Sequence, residues 1–380
     1  MNKSMSLGNV LKFAGAYVAC AIGSGFATGQ EIMQFFTAQG IMSVIGTVVT
    51  TIIFAWVGGM LMKHGYEKQL ETPAQIAEYY FGSKIGRLFE IVFQVFLYGV
   101  YVIMIAGAGA TIAQYFGLNP AIGRAGMALI AFVTVILGLS RLTDILGKLG
   151  VVIIVFAVGI GLYSFLANMG NLQAAAALIP TLDITKTQGG WLGSAILYPA
   201  FNAIVVLFLT CAMGKNANNG REALWGGVLG GVLFGAAVLC MNLGLFVNVA
   251  GIYSQAVPTL ILADAISPIL GLVFSVIICC GIYTTTVPML WGVVRHFAED
   301  GTKKAVIIAA VLTAVGLVLG MTDFKVLVNT IYPLSGYMGL ILFGVIAFRE
   351  LQTKKVTDKV VDAAADKLPA VGVKTAEQDA

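Results

Sequence analysis

Apolar runs of about 20 residues recur along this chain, separated by short polar joints, and each is long enough to cross a hydrocarbon layer of roughly 30 Å. Ten such runs are readable, at about residues 9–36, 40–62, 86–116, 120–140, 145–168, 191–213, 222–248, 266–296, 304–321 and 326–348. The joint "KHGYEKQLETPAQIAEYYFGSKIGR" between the second and third runs is charged, and Thr72-Pro73 opens a short helix lying along the surface. Residues 170–190 read as a long neutral loop ending in Gly189-Gly190. A shorter amphipathic piece, "YSQAVPTLILADAISP", follows the seventh run with Pro258 near its start. From Glu350 onward the chain is rich in Lys, Asp and Ala and has little to bury, so residues 351–380 are expected to form a mobile cytoplasmic tail. Residues 1–350 form one transmembrane domain.

Composition sharpens this to an all-α polytopic membrane protein. Of 380 residues, 59% are hydrophobic and 11% charged, leaving too little polar surface for a soluble domain. The net charge of +4 matters less than its placement. With the N-terminus inside, one face receives Lys3, Lys12, Lys63, Lys68, Lys84, Arg87, Arg141, Lys148, Lys215, Arg221, Arg295, Lys303, Lys304, Arg349 and the tail lysines. The other receives Arg124, Lys186 and Lys325. That asymmetry predicts ten spans in a cell membrane with both termini cytoplasmic. The expected surroundings are a lipid bilayer and a small-molecule substrate, with no nucleic-acid partner; oligomeric state stays open.

Ten spans divide into five and five, about 9–168 and 191–348, and each half crosses an odd number of times. The halves therefore run in opposite senses, as inverted repeats require. The first span of each half carries a candidate break. "AIGSGFATG" places Gly23, Ser24 and Gly25 within apolar sequence, and "AILYPAFNAIV" carries Pro199 followed by Phe201 and Asn202. Backbone unwound at membrane depth is tolerated only where it is buried in protein or lines a wet cavity, so these interrupted first and sixth helices predict a midplane binding site. Glu31 lies six residues beyond Gly25, about 9 Å along a helix. That reads as an acid in the outer vestibule, a gate or coupling group, or an interfacial carboxylate touching water.

The stretch "AYVACAIGSGFATGQEIMQFF" resembles the first helix of the uncharacterised YkvI-type bacterial membrane proteins, grouped with the amino-acid permeases of the amino acid–polyamine–organocation superfamily. The resemblance covers roughly residues 5 to 350. It implies the LeuT-like five-plus-five fold and secondary active transport, and it does not supply a substrate. The sodium site common in that fold uses carbonyls beside the first-helix break and oxygens on the eighth helix. Ala19 and Ile22 match the carbonyl positions, and "CCGIYTTTVPML" supplies Gly281, Thr284 and Thr285. Five neutral oxygens suit a monovalent cation, although threonines also bond back to their own helix. Tyr101, three residues from Tyr98, stands where a tyrosine often closes over substrate in such folds; simple packing accounts for it equally.

The remaining candidates carry less. "GGVLGGVLFG" at 226–235 reads as close helix packing, and Asn242 as a pair with another helix. Glu90 reads as solvated. The five cysteines lie within apolar runs without metal-ligand spacing; His64 and His296 sit at run ends, either interfacial or pH-sensing. No nucleophile–base pair, zinc spacing or nucleotide loop appears, so no enzyme activity and no cofactor beyond a coupling sodium ion are expected. The sequence thus points to a sodium-coupled symporter of a small amino acid or similar solute. The alternatives are a proton-coupled permease using Glu31, or a transporter-like ligand sensor.

Overall fold

The computed structural model describes residues 4–137 and 143–365, and they are helical apart from short turns. The first span is broken into α1 (Leu7–Ala21), α2 (Ser24–Thr28) and α3 (Gln30–Phe35). Next come α4 (Met42–Lys68), α5 (Pro73–Phe116), α6 (Pro120–Leu137), α7 (Thr143–Ala167) and the short α8 (Leu172–Leu178). The second half holds α9 (Gly190–Lys215), α10 (Gly220–Val247), the single turn α11 (Val249–Ile252), α12 (Pro258–Ile266), α13 (Pro268–Phe297), α14 (Lys303–Leu319) and α15 (Phe324–Ala365). Residues 366–380 of the expected tail, together with Lys3 and Arg141, lie outside the described residues.

Among the described residues seven helices are long and apolar enough to cross a membrane, or eight if the pair bent by 70° near Asn168 counts as one span. Two of the expected ten runs fall short for clear reasons. The first is cut at residues 22–23, and α14 is only 17 residues long. The neutral loop expected at 170–190 is partly helical, because "LQAAAAL" is a run of strong helix formers. The surface helix before the third span forms as expected. Thr72 and Gln75 make a reciprocal capping box with Pro73 in the first turn, and a kink at Gly82 (φ 75°, ψ 168°) separates this segment from the membrane part of α5.

Glycines bring α10 into backbone contact with its neighbours. Gly227 and Gly231 lie against the α4 backbone at Gly58 and Phe54, and Gly226 and Gly230 take Phe13 and Tyr17 of α1. Small residues here admit approaches that any side chain would block. The start of α1 is pinned by a buried carboxylate. Glu222 accepts from the backbone N–H of Ser6 at 2.8 Å, the Asn9 amide at 3.0 Å and the Asn218 N–H at 2.9 Å. Asn242 accepts from the Thr37 hydroxyl and donates to Ser43, both at 2.9 Å, tying α10 to the far end of the first span.

One expectation about the fold is corrected. The sixth span is not interrupted: α9 runs unbroken from Gly190 to Lys215 with Pro199 inside it. Pro199 lacks an N–H, which orphans the carbonyl four residues back, at Ala195. The Thr50 hydroxyl of α4 donates to that carbonyl at 2.8 Å. The defect is repaired by a neighbour, so no unwinding follows. Thr50→Val keeps the shape and leaves the carbonyl unpaired, and it should destabilise the protein by about 1–3 kcal/mol in a thermal melt, with Thr50→Ser near wild type. A Thr50→Val protein as stable as wild type would separate the continuity of α9 from this bond.

Candidate functional site

The break in the first span is two residues long. Ile22 (φ −81°, ψ 97°) and Gly23 (φ −92°, ψ 179°) are extended, and helix resumes at Ser24, whose side chain lies outside the described residues. A second interruption follows at Gly29, where φ is 75° and a Cβ would stand 2.6 Å from the Thr259 methyl. The Thr259 hydroxyl donates to the Ala27 carbonyl at 2.6 Å and that of Thr28 to Gly25 at 2.8 Å, so α2 is held by side chains where its ladder fails.

The turn at Gly29 changes where Glu31 goes. A continuous helix would carry it toward the outer face. Instead its side chain folds back over Gly25, and a Cβ there would overlap the carboxylate. Glu31 is 5% exposed, so it sits at the wall of a central cavity and not in a vestibule. Its neighbours are tyrosines: Tyr198 donates to Oε2 at 3.4 Å, and the Tyr332 hydroxyl approaches from α15. Among the described residues no basic side chain pairs with it.

The cavity measures about 500 Å³ and gathers most of the predicted residues. From the first span come Ala19, Ile22, Gly23 and Glu31; from α9, Phe201 and Asn202; from α13, Gly281, Thr284 and Thr285. A Cβ on Gly23 would stand 3.9 Å from the Thr285 hydroxyl, so this threonine faces the break. Both hydroxyls donate to the Gly281 carbonyl, Thr284 at 2.8 Å and Thr285 at 3.1 Å, which leaves their oxygens free to accept. Asn202 donates to the Tyr198 carbonyl at 3.0 Å. Gly25 lies behind Glu31 and is not on the wall. Tyr101 does not line the cavity either: it stacks on Tyr98 with ring centroids 5.7 Å apart and packs against Gly316 of α14.

The two ends of the cavity differ. Beyond Glu31 it is closed by fully buried aromatic rings. Tyr198 meets Phe36 at 5.0 Å and Phe35 and Phe201 at 5.2 Å, and Phe201 stacks on Tyr332 at 4.6 Å and 8°. Toward the start of α1 the wall continues through Leu209 and Met213, and Leu209 is 48% exposed. Tyr332 was missed by sequence reading. Its signal was available: Tyr332-Pro333 repeats the Tyr198-Pro199 pair, and both tyrosines reach Glu31.

With this geometry in place, likenesses to known proteins can be set beside it. YyaD of Bacillus subtilis (strain 168), an uncharacterized protein, is 29% identical over 328 residues, covering 84% of this chain and 91% of its own. The uncharacterized membrane protein YkvI of the same organism is 23% identical over 356 residues, 92% of this chain and 99% of its own. No family model matches. Among solved structures, MhsT in complex with L-phenylalanine superposes with a TM-score of 0.56 at 14% identity, covering 90% of this chain and 89% of that one. Mhp1 in an inward-facing conformation gives 0.57 at 15%, covering 89% and 75%. A manganese transporter of Eremococcus coleocola gives 0.59 at 16%, covering 92% and 79%. The protein is thus an all-helical, multi-pass membrane protein of the LeuT fold. Within that class it is a distant homologue of YkvI.

Gly25 and Glu31 should behave as one unit. Gly25→Ala alone should lower the melting temperature, because the new methyl displaces a buried carboxyl, whereas Gly25→Ala in a Glu31→Ala background should cost little. A coupling on the order of 0.5–3 kcal/mol is expected from the double-mutant cycle, and additive effects would show that the two do not touch.

Proposed function

We propose that this protein is a secondary transporter of a small amino acid or amino-acid-like solute, working by alternating access and coupled to sodium, and that it is not an enzyme. The observation that carries the reading is the cavity at the unwound Ile22–Gly23 backbone, shut by aromatic rings at one end and continuing toward the start of α1 at the other. In this reading the broken α1–α3 span, α7 and α14 join the seven long helices as spans, giving the ten that the five-plus-five arrangement requires. The lysine and arginine partition puts both termini in the cytoplasm, so the cavity opens inward. The likeness to inward-facing Mhp1 is consistent with that state, and the amino acid bound to MhsT supports the substrate class.

In this reading Gly23, Phe201 and Asn202 form the substrate end with Ser24 beside the break, where freed backbone groups supply hydrogen bonds to a polar solute head. Ile22, Val205 and Leu209 offer apolar wall to its body. Sodium would take the Ala19 and Ile22 carbonyls with oxygens of Gly281, Thr284 and Thr285, bridging the first span to α13. The second reading is proton coupling through Glu31, favoured by one fact: among the described residues it is the only acid on the wall, buried against tyrosines.

Counterflow of labelled amino acids in proteoliposomes tests transport itself. Exchange across the membrane is expected, and binding without exchange would indicate a sensor. Thr285→Val and Thr285→Ala should weaken sodium's enhancement of substrate binding by similar amounts, on the order of 1–3 kcal/mol for typical coupling. Equal binding of substrate in sodium, potassium and choline would overturn the sodium site. Glu31→Gln should then flatten the dependence of uptake on external pH while leaving the melting temperature near wild type.

A further inference from the structure

The wall of the central cavity is one-sided in its hydrogen-bonding chemistry. Thr284 and Thr285 have already given their hydroxyl hydrogens to the Gly281 carbonyl, at 2.8 and 3.1 Å. The Tyr332 hydroxyl is turned to Glu31, and Asn202 gives one of its two amide hydrogens to the Tyr198 carbonyl at 3.0 Å. What these side chains still offer the cavity is mostly lone pairs. The side-chain donors left over are the second N–H of Asn202 and the weak thiol of Cys20. Among the described residues no lysine, arginine or histidine stands on this wall, and Glu31 is its one acid.

Glu31 keeps room for a further partner. A carboxylate has about four lone-pair positions, and the hydroxyls of Tyr198 and Tyr332 use two of them. Hydroxyls carry no net charge, so the acid has hydrogen bonds here but no counter-charge. Beyond it the wall turns apolar. On α9, Val205 and Leu209 follow Phe201 by one and two turns, about 6 and 12 Å along the axis. Val100 of α5 and Ile153 of α7 line the same space. The acid thus stands at the end closed by aromatic rings, and the apolar surface runs away from it toward the start of α1.

We propose that the site reads the solute's primary ammonium, held by Glu31 at the sealed end, with an apolar body lying along α9 and no side chain assigned to a carboxylate. This rests on the transport reading of the cavity and narrows its substrate class to primary monoamines with an apolar body, amino acids of that kind among them. An ammonium has three N–H donors, no acceptor and a positive charge. It supplies the counter-charge that the tyrosines cannot, and its remaining donors suit acceptors such as the Asn202 carbonyl oxygen. A carboxylate has the opposite chemistry. It can only accept, so against this wall its lone pairs would be buried without side-chain partners.

Two fragments of leucine separate the ends of the solute: isoamylamine keeps the amine without the carboxylate, and isocaproate keeps the carboxylate without the amine. Binding of tritiated isoamylamine is measured by scintillation proximity on the protein in lipid nanodiscs, with sodium present. Saturable binding is expected, competed by unlabelled isoamylamine and untouched by isocaproate. Glu31→Gln keeps the shape and removes the charge, and should weaken binding by about 30-fold or more, the scale for removing one partner of a buried charge pair. Glu31→Asp keeps the charge and should retain part of the affinity. No saturable binding of the amine, competition by isocaproate as strong as by isoamylamine, or an affinity unchanged in Glu31→Gln would each overturn the assignment. If Glu31→Gln does not fold, the two fragments decide alone. Binding needs no passage across the membrane, so the result is separate from counterflow. A protein that exchanges labelled amino acids but ignores the amine loses the ammonium site and keeps the transport reading; one that binds the amine without exchange keeps the site and loses transport.

Discussion

Hydrocarbon cannot hydrogen-bond to a peptide group, and the architecture turns on where the backbone ladder fails and what satisfies it instead. Pro199 orphans the Ala195 carbonyl, and Thr50 supplies a hydroxyl from the adjacent helix. The loss of helix at Gly29 leaves Ala27 to be met by Thr259. At Ile22–Gly23 the break faces a cavity. Two defects are repaired from within the protein and one is left open, and the open one is where we propose that the solute is held.

The buried carboxyl of Glu31 gives that opening its polarity. An acid so placed needs hydrogen-bond donors, and the tyrosines that reach it belong to the stacked rings sealing one end. The seal and the acid are therefore one assembly built from the first span, α9 and α15. A rearrangement that draws α15 away from Phe201 would open the aromatic stack and strip Glu31 of a partner together. Gly25 makes the arrangement possible, since only an absent side chain leaves room for the folded-back carboxyl.

The far end of the bundle is organised by contacts of another kind. Glycine-to-backbone approaches hold α4 against α9 and α10, while Glu222 pins the start of α1 to the joint before α10. These interactions are specific in geometry and have few alternatives, so α4, α9 and α10 pack as a unit against which the first span is hung.

Much of the fold was legible in sequence because membrane crossing imposes length and apolarity on each run. The helical class, the surface helix at Thr72-Pro73, the glycine packing at 226–235 and the break at Gly23 follow from that constraint and from local backbone chemistry. Several features did not follow, because they depend on what lies opposite. Pro199 reads as a break until Thr50 is seen beside Ala195. Glu31 reads as an outer residue until the turn at Gly29 swings it back over Gly25. Tyr101 reads equally as a cavity residue or a packing residue until Gly316 is found against its ring. Sequence determines which backbone groups and charges are costly in a membrane; only the tertiary structure decides which neighbour satisfies each, since that partner lies up to hundreds of residues away along the chain.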